Sequence, residues 1–373
     1  MTIFATEVWM LLIVRIITGM SNTGTMMLIM IYCTEIASKE IRGALGSLLP
    51  ILSSVGVLIM LSIGPYISYL NLSIMFTAII TFSCIVLIFV PDTPYSLYRK
   101  GKIEEAEKVL IILRGSSELA EEEMKEFSNE KPKQKFDKRE LYRNKANLKA
   151  LIIAMVMGFG VQSVGFNSIS FYLQTILEIS NTQVSPALGS LIIGVIQILS
   201  SICTGFVSDR FGRRPILITT LLSMALGMIG LGIFFILQQN GVAITGFLNY
   251  LPLISIAIIT WSFSGGIGSQ YFVLITELLD GPARAIGTAA SFLVSTIFLF
   301  CLTKYMMELI TAIGSDATFM MFGVVCISMC LFVFFFVPET KQKTIAEIQM
   351  ALRGEKKKID EKTMSGIEIA DRF

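Results

Sequence analysis

Long runs without a charged residue constrain this 373-residue chain more than any other feature. The longest run covers residues 215–276, and the others cover 16–34, 43–91, 150–177, 179–208, 285–303 and 317–338. About 20 consecutive apolar residues are enough to cross the hydrocarbon core of a bilayer as a helix. Because only helices and closed barrels satisfy their backbone hydrogen bonds in lipid, the pattern predicts an all-α membrane protein.

The runs divide into nine predicted spans, which together occupy most of the chain. Their approximate bounds are 8–32, 44–66, 72–90, 150–177, 185–206, 215–237, 249–275, 285–309 and 317–337. Basic residues gather in alternate connections, which the positive-inside rule assigns to the cytoplasm. An odd number of spans with a cytoplasmic C-terminus places Met1 outside, although the chain begins without a cleavable signal pattern.

The distribution of charge predicts four parts. These are a partial N-terminal transmembrane bundle (1–91), a cytoplasmic charged helical linker (92–149), a C-terminal six-span bundle (150–338) and a cytoplasmic tail (339–373). Within the linker, apolar residues from Ile103 to Leu113 recur at helical spacing and predict a short amphipathic helix. The charge-rich stretch 118–140 is expected to be mobile or loosely helical.

Several functional classes are disfavoured by what the chain contains. It has no histidine, which removes the usual physiological-pH base and the commonest metal ligand. The six cysteines lie in apolar runs without zinc or redox spacing. We therefore expect no enzyme activity, no metal, no cofactor and no nucleic-acid partner. Gly158, Gly160 and Gly165 follow no strand, so they predict close helix packing rather than a dinucleotide loop.

One arrangement of residues occurs twice. Glu35 is followed by Arg42 and, after an apolar run, by Pro91-Asp92-Thr93; Glu277 is followed by Arg284 and later by Pro338-Glu339-Thr340. The copies lie about 245 residues apart, and such internal duplication builds many secondary transporters around a central substrate site.

A third mark that should accompany this repeat occurs only once. Residues 209–214 read Asp-Arg-Phe-Gly-Arg-Arg, and a twin at the same offset would precede residue 1. We therefore expect that about three spans are missing from the front of the chain. Three more spans would also return the N-terminus to the cytoplasm.

In order and spacing, these marks resemble the sugar porters of the major facilitator superfamily, and within them the insect trehalose and hexose transporters. The matching positions include Arg15 with Gly19, Tyr32 to Ile36, Arg42-Gly43, Leu48-Leu49-Pro50, the loop 209–214 and Pro338 to Lys341. The resemblance implies a helical bundle with an incomplete N-terminal half of about three spans and a complete C-terminal half of six.

The resemblance also implies sugar ligands. Gln162 and Asn167 match the second Gln and the Asn of the family's Gln-Gln-x-x-Gly-x-Asn signature, whereas Val161 stands at the first Gln. Gln197 matches a further sugar-binding amide, and Phe171 and Tyr172 match positions that help to close the outer path. A neutral amide donates and accepts without the cost of a buried charge. The structural alternative for each amide is a helix–helix hydrogen bond of about 1 kcal/mol.

The span over 249–275 resembles a family helix that glycines and prolines break. Glycines are present here, but Ser269 and Tyr271 stand where the family has prolines. Phe272 stands at the family's sugar-stacking Trp, and Ser295 stands where the next span usually has Asn. A Phe ring still covers a sugar face, so Phe272 is a predicted substrate contact.

Charged residues at the cytoplasmic ends match those that hold the family's inner side shut through salt bridges. They are Glu35, Arg42, Asp92, Arg213, Arg214, Glu277, Arg284 and Glu339. The alternative is that such charges only set topology. Tyr95 stands at the Arg that the family has after the second Pro, so one bond of that network is absent.

The sequence thus predicts facilitated diffusion of trehalose or a hexose by alternating access, in a multi-pass protein of the plasma membrane. No acidic residue lies well inside the spans from 150 to 337, which favours facilitated diffusion over proton coupling. Two alternatives stay open: a truncated fragment that does not transport, and a proton-coupled sugar symporter. The expected partners are a small-molecule sugar and the lipid bilayer, with no obligate protein partner.

Overall fold

The structure, a computed structural model, describes residues 6–37, 42–129, 145–181, 183–279, 281–341, 343 and 345–353. Every regular element in these residues is a helix. The chain separates into two compact units, Met1–Lys135 and Phe136–Phe373.

The first unit contains three long apolar helices and three short ones. They are α1 (Val8–Ile36), α2 (Arg42–Ile63), α3 (Tyr69–Ile88), α4 (Pro94–Arg99), α5 (Ile103–Arg114) and α6 (Ser117–Asn129). A single 3₁₀ turn, Gly64–Tyr66, follows α2 because Pro65 cannot donate to a continuing helix. Ser68 and Thr93 cap α3 and α4 by accepting from the backbone N–H groups of Asn71 and Ser96.

The second unit contains ten described helices. They are α7 (Lys145–Ser163), α8 (Phe166–Phe171), α9 (Leu173–Ser180), α10 (Pro186–Phe211), α11 (Arg213–Gln239), α12 (Leu251–Gly265), α13 (Ile267–Leu278), α14 (Gly281–Ile313), α15 (Ser315–Phe336) and α16 (Ile345–Arg353). Helix α11 packs against α12 and α15, α14 packs against α7, and α10 packs against α12.

Seven helical stretches in the described residues are long and apolar enough to cross a membrane. They are Tyr69–Ile88, Ala146–Phe171, Pro186–Thr204, Arg213–Gln239, Leu251–Leu278, Ile286–Ile313 and Ser315–Phe336. Six of them belong to the second unit, which confirms the predicted six-span C-terminal half. The remaining two predicted spans coincide with α1 and α2, of which α2 contributes a shorter apolar stretch, Ile51–Tyr66.

The linker is more regular than expected where the structure describes it. The predicted amphipathic helix is present as α5, and Ser117–Asn129 also forms a helix, α6, which favours the helical one of the two predicted alternatives for this stretch. Arg114 explains this order: its Nε and Nη2 donate to the Glu123 carboxylate at 2.7 and 2.9 Å, and its Nη1 donates to the Ile36 carbonyl at 2.8 Å. The rest of the predicted segment, 130–140, lies outside the described residues.

Two predicted spans of the second unit are interrupted. The first breaks after Ser163, where Gly165 adopts a φ of +86° that few other residues tolerate. The second breaks at Gly266, between α12 and α13, where an added Cβ would lie 1.9 Å from the Thr220 hydroxyl. The second break agrees with the predicted broken helix, whereas the first is a feature that the sequence analysis did not anticipate.

The predicted close packing at glycines is confirmed. A Cβ at Gly158 would lie 2.4 Å from the Ser291 carbonyl oxygen, so α7 and α14 approach backbone to backbone. Gly160 faces Met329 and Gly165 faces the Phe322 ring, and both added Cβ atoms would overlap those side chains. These glycines bring the residues of α7 and α8 close to those of α14 and α15.

Candidate functional site

Two predicted sugar ligands meet at the break between α7 and α8. The left-handed Gly165 turns the chain so that Asn167 Nδ2 donates to Gln162 Oε1 at 2.6 Å. Gln162 Nε2 then donates to the hydroxyl of Ser295 on α14 at 2.9 Å. Both amides are half-buried, and no described residue engages Asn167 Oδ1 or the second N–H of either amide. Donors and an acceptor are therefore available to a polar ligand.

An aromatic cluster lies on α13 and α14, and α14 also carries Ser295, the hydrogen-bond partner of Gln162. Phe272 is 52% exposed and contacts Tyr271, with ring centroids 5.2 Å apart, and Phe292, at 5.5 Å. Tyr271 and Phe292 also make an edge contact at 6.0 Å. The predicted contact residue Phe272 is therefore supported from two sides while its own ring surface stays open.

The remaining predicted ligands are placed differently. The Tyr172 hydroxyl donates to the Thr303 carbonyl at 3.1 Å, which ties the end of α8 to α14, and Phe171 is 66% exposed. Gln197 is half-buried on α10, and no hydrogen bond joins its side chain to the Gln162–Asn167 pair. The structure thus brings together Gln162 and Asn167 but leaves Gln197 separate from them.

Three residues of this region had no predicted role: Tyr271, Ser291 and Phe166. The Tyr271 hydroxyl lies 2.9 Å from Ser291 Oγ in the core, and Phe166 stacks on Phe263 with centroids 4.0 Å apart. The sequence contained one indication, because Tyr271 stands at a position where the resembled family has proline. The sequence alone could not show that the Tyr271 hydroxyl contacts α14.

Four predicted gate charges of the second unit are joined by hydrogen bonds at one end of the helices: Arg213, Arg214, Glu277 and Glu339. Arg213 Nη2 lies 3.4 Å from Glu277 Oε1, and the Thr340 hydroxyl donates to Glu277 Oε2 at 2.5 Å. Arg214 donates to the Phe334 carbonyl and lies over the Phe334 ring at 5.4 Å. Arg284 Nε donates to the Leu279 carbonyl at 3.1 Å.

Glu339 caps the beginning of α11. Its carboxylate accepts from the backbone N–H groups of Arg213 and Arg214 at 3.0 and 3.1 Å, and from those of Thr340 and Lys341, both at 2.9 Å. A carboxylate is favoured there because the first N–H groups of a helix have no intrahelical acceptor. Gly212, with a φ of +87°, allows this approach, since a Cβ there would lie 2.9 Å from Glu339 Oε2.

These contacts set the pKa of the Glu339 carboxyl. Burial by itself raises that pKa, but the hydrogen bonds from Lys341, Arg213, Arg214 and Thr340 outweigh it, and the pKa lies below its ordinary value. The pKa of the exposed Asp92 carboxyl in the first unit is lowered by its hydrogen bond and ion pair with Lys100, at 2.7 Å.

The first unit repeats part of the same network. The Thr93 hydroxyl donates to Glu35 Oε2, and the Tyr32 hydroxyl donates to the Pro91 carbonyl at 3.1 Å. Arg42 begins α2, but its side chain lies outside the described part of the structure. Among the described residues, no group of three or more His, Cys, Asp or Glu side chains is arranged to hold a metal ion.

Comparisons with known proteins agree with this arrangement. Residues 1–352 match the family described as sugar (and other) transporters. The facilitated trehalose transporter Tret1 of Bombyx mori is 33% identical over 352 residues, which cover 91% of this chain and 67% of that protein. The Tret1 of Polypedilum vanderplanki is 30% identical over 359 residues, 94% of this chain and 70% of that protein.

Solved structures show the same fold. The inward-open xylose transporter XylE from E. coli matches with a TM-score of 0.70 and 23% identity, over 86% of this chain and 68% of that one. XylE bound to 6-bromo-6-deoxy-D-glucose, a proton:xylose symporter of the major facilitator superfamily, matches with a TM-score of 0.56 and 24% identity. With its apolar helices and its family match over nearly the whole length, this chain is a multi-pass integral membrane protein that belongs to the sugar transporter family.

Proposed function

We propose that this chain carries a neutral sugar, trehalose or a hexose, across the bilayer by facilitated diffusion. The observation that carries the proposal is the chain of hydrogen bonds from Asn167 through Gln162 to Ser295. It leaves amide donors and an acceptor available inside an apolar bundle. The relatives named for facilitated trehalose transport make trehalose the first sugar to test, and the resemblance to hexose transporters adds glucose.

The proposed site suits the chemistry of a sugar. Each hydroxyl of a sugar both donates and accepts a hydrogen bond, and Gln162 and Asn167 offer both functions without a charge. The apolar face of a sugar ring needs an aromatic surface, which Phe272 offers from its supported position. All of these ligands are neutral, so sugar binding at the site requires no proton.

We propose that the charged network at the ends of the spans acts as the cytoplasmic gate of an alternating-access cycle. A gate must hold in one state and open in the other, so its bonds must be individually modest. The Arg213–Glu277 pair is partly exposed and 3.4 Å long, which is a weak ion pair. The roles of Glu35, Asp92, Arg42, Arg214, Arg284 and Glu339 in the gate belong to the same proposal.

Uptake by purified protein in liposomes tests the transport proposal. Radiolabelled trehalose and glucose should enter saturably, without a pH gradient and without accompanying proton uptake. Gln162→Ala and Asn167→Ala should each raise KM by about tenfold, since each removes a hydrogen-bonding group from the site. The matched control is Gln239→Ala, because Gln239 is exposed at the end of α11 and bonds Asp316.

Two results would overturn the proposal. Uptake no greater than in protein-free liposomes would refute transport by this chain. Proton uptake stoichiometric with sugar would refute facilitated diffusion and favour a symporter. We also propose residence in the plasma membrane, which surface biotinylation of the expressed chain tests against an internal-membrane marker.

A further inference from the structure

The carboxyl end of α9 is held by a side chain from another helix. The last four carbonyl groups of a helix have no partner within it, and buried backbone groups need one. In α9, the Leu177 carbonyl accepts from the Ser180 hydroxyl at 2.7 Å. The Glu178 carbonyl accepts from the Asn181 N–H at 3.0 Å. The carbonyls of the last two residues of the helix remain to be satisfied.

Gln238, on the last turn of α11, supplies both remaining partners. Its Nε2 donates to the Ile179 carbonyl at 3.2 Å and to the Ser180 carbonyl at 3.3 Å. A side-chain amide has two hydrogens on its nitrogen, so it can serve two acceptors at once. Ser180 is fully buried, and its carbonyl therefore depends on a donor from the protein.

The segment that Gln238 holds also carries Asn167. Helices α8 and α9 follow each other directly, and backbone hydrogen bonds continue across their junction. The Tyr172 N–H donates to the Ser168 carbonyl at 3.2 Å, and the Ile176 N–H donates to the Tyr172 carbonyl at 2.9 Å. A displacement at the carboxyl end of α9 is therefore transmitted along the segment to α8.

Asn167 lies on one side of a break and its partner Gln162 on the other. Gly165, between them, has a φ of +86°, so no continuous helix joins α7 to α8. The 2.6 Å bond from Asn167 Nδ2 to Gln162 Oε1 thus depends on where the α8–α9 segment lies. A shift of that segment by about 1 Å would be enough to break the bond.

Hydrogen bonds fix this segment in a way that its apolar packing does not. Leu177 of α9 fits against Gly189 of α10, where an added Cβ would lie 2.9 Å from Leu177 Cδ1. Such apolar contacts are not directional. The bonds of Tyr172 to the Thr303 carbonyl, at 3.1 Å, and of Gln238 to the end of α9 are directional, so they set the position of the segment.

We propose that Gln238 is a positioning residue of the proposed sugar site. By holding the carboxyl end of α9, it keeps Asn167 in place against Gln162 across the Gly165 break. It acts through Asn167 and not on the sugar. The inference rests on the proposed transport function and deepens it, because sugar affinity then depends on a side chain of a helix that supplies no predicted ligand.

Two measurements on Gln238→Leu test the inference. The leucine keeps most of the side-chain volume and removes both donated bonds. We expect hydrogen exchange of the α9 amides to become about tenfold faster. In the liposome uptake assay, we expect KM for the transported sugar to rise about threefold with Vmax unchanged. In an Asn167→Ala background, the same substitution should leave KM unchanged, because the group that Gln238 positions is gone.

Three further variants make the test specific. Gln239→Leu is the matched control, since Gln239 is the next residue and bonds Asp316 at 2.9 Å instead of α9. It should change neither KM nor α9 exchange. Gln238→Lys restores a donor, which a helix carboxyl end favours, and should return KM towards the wild-type value. Gln238→Asn, which keeps the amide but shortens its reach, replaces Gln238→Leu if that variant fails to fold.

The outcomes separate this inference from the transport proposal. Wild-type protein that takes up no sugar refutes transport and with it the positioning role, whereas α9 exchange still reports on the Gln238 bonds. If the wild type transports, unchanged KM in Gln238→Leu overturns the inference. A rise in KM that is equal in both backgrounds shows a general structural role and overturns it as well, as does α9 exchange equal to that of the wild type.

Discussion

The Thr340 hydroxyl donates to the Glu277 carboxylate at 2.5 Å, and Thr93 makes the same bond to Glu35 in the first unit. In each copy, the threonine follows a Pro-acidic pair after one span, and the glutamate ends an earlier span. The sequence repeat is therefore also a repeat of one hydrogen bond. Both threonines are buried, which keeps water from competing for the carboxylate.

Thr340→Val should weaken the network around Glu277. The substitution keeps the shape of the side chain but leaves the partly buried carboxylate with the 3.4 Å contact to Arg213. We expect a loss of about 1 kcal/mol in the free energy of unfolding, measured by thermal unfolding in detergent. Thr276→Val is the control, since the exposed Thr276 bonds only carbonyls of its own helix. Equal stability of the two variants would contradict the prediction.

Glu339 should make the free energy of unfolding depend on pH in the acidic range. In the folded protein, the pKa of the Glu339 carboxyl lies below its ordinary value of 4.5. The carboxylate therefore stabilises the fold fully at a pH above 4.5, and this stabilisation is lost as the pH falls through the lowered pKa. Glu339→Gln should therefore be less stable than the wild type at pH 6, and the difference should shrink by pH 3. Melting temperatures of both proteins across this range measure it.

The matched control for this titration is Glu178→Gln, at an exposed glutamate on α9. It should follow the wild type across the whole range. A difference between wild type and Glu339→Gln that stays constant from pH 6 to pH 3 would show that the carboxylate charge is not the source of the stability.

Gly158→Ala should force α7 and α14 apart. The added Cβ would lie 2.4 Å from a backbone oxygen of Ser291, which cannot move as a side chain end can. We expect a destabilisation of about 1–3 kcal/mol, the usual range for overpacking, together with weaker sugar binding. Gly56→Ala on α2 is the control, because nothing lies within 4 Å of its added Cβ. A Gly158→Ala protein as stable as the control would refute the close contact.

Arg114→Lys should loosen the linker helices of the first unit. A lysine cannot make the fork to Glu123 and the bond to the Ile36 carbonyl at the same time. We expect faster hydrogen exchange of the α6 amides, by about tenfold or more, corresponding to one or two lost charge-assisted bonds. Arg99→Lys on the exposed side of α4 should leave α6 exchange unchanged.

The spans were predictable because lipid imposes a simple rule on composition, and uncharged runs of sufficient length are visible in any sequence. The break at Gly266 was also foreseeable, because the segment resembles a broken helix of the family and keeps its glycines. The break at Gly165 was not, because a single glycine in a span more often marks helix packing than a left-handed turn. Helix α6 was left open between a mobile and a loosely helical segment because Arg114 orders it, and the partners of Arg114, Ile36 and Glu123, lie far apart along the chain.

The candidate site was predictable only in part for a similar reason. Gln162 and Asn167 lie close in sequence and carry a recognisable pattern, so their proximity could be inferred. Ser291 and Ala154 lie 137 residues apart, and nothing local indicates that α7 and α14 meet. The Tyr271 hydroxyl contacts Ser291 where these helices meet, and the only sign of this in the sequence was a tyrosine at a position where the resembled family has proline.

Helix α13 has one further consequence. It begins at the Gly266 break, carries Tyr271 and Phe272 in its first half, and ends one residue beyond Glu277. Six residues of helix separate Tyr271 from Glu277, or about 9 Å. Tyr271, Phe272 and Glu277 therefore share one short helix, so any displacement of its aromatic end would also displace the carboxylate held by Arg213 and Thr340. In the proposed transport cycle, occupancy of the site and release of the charged end would then be a single event.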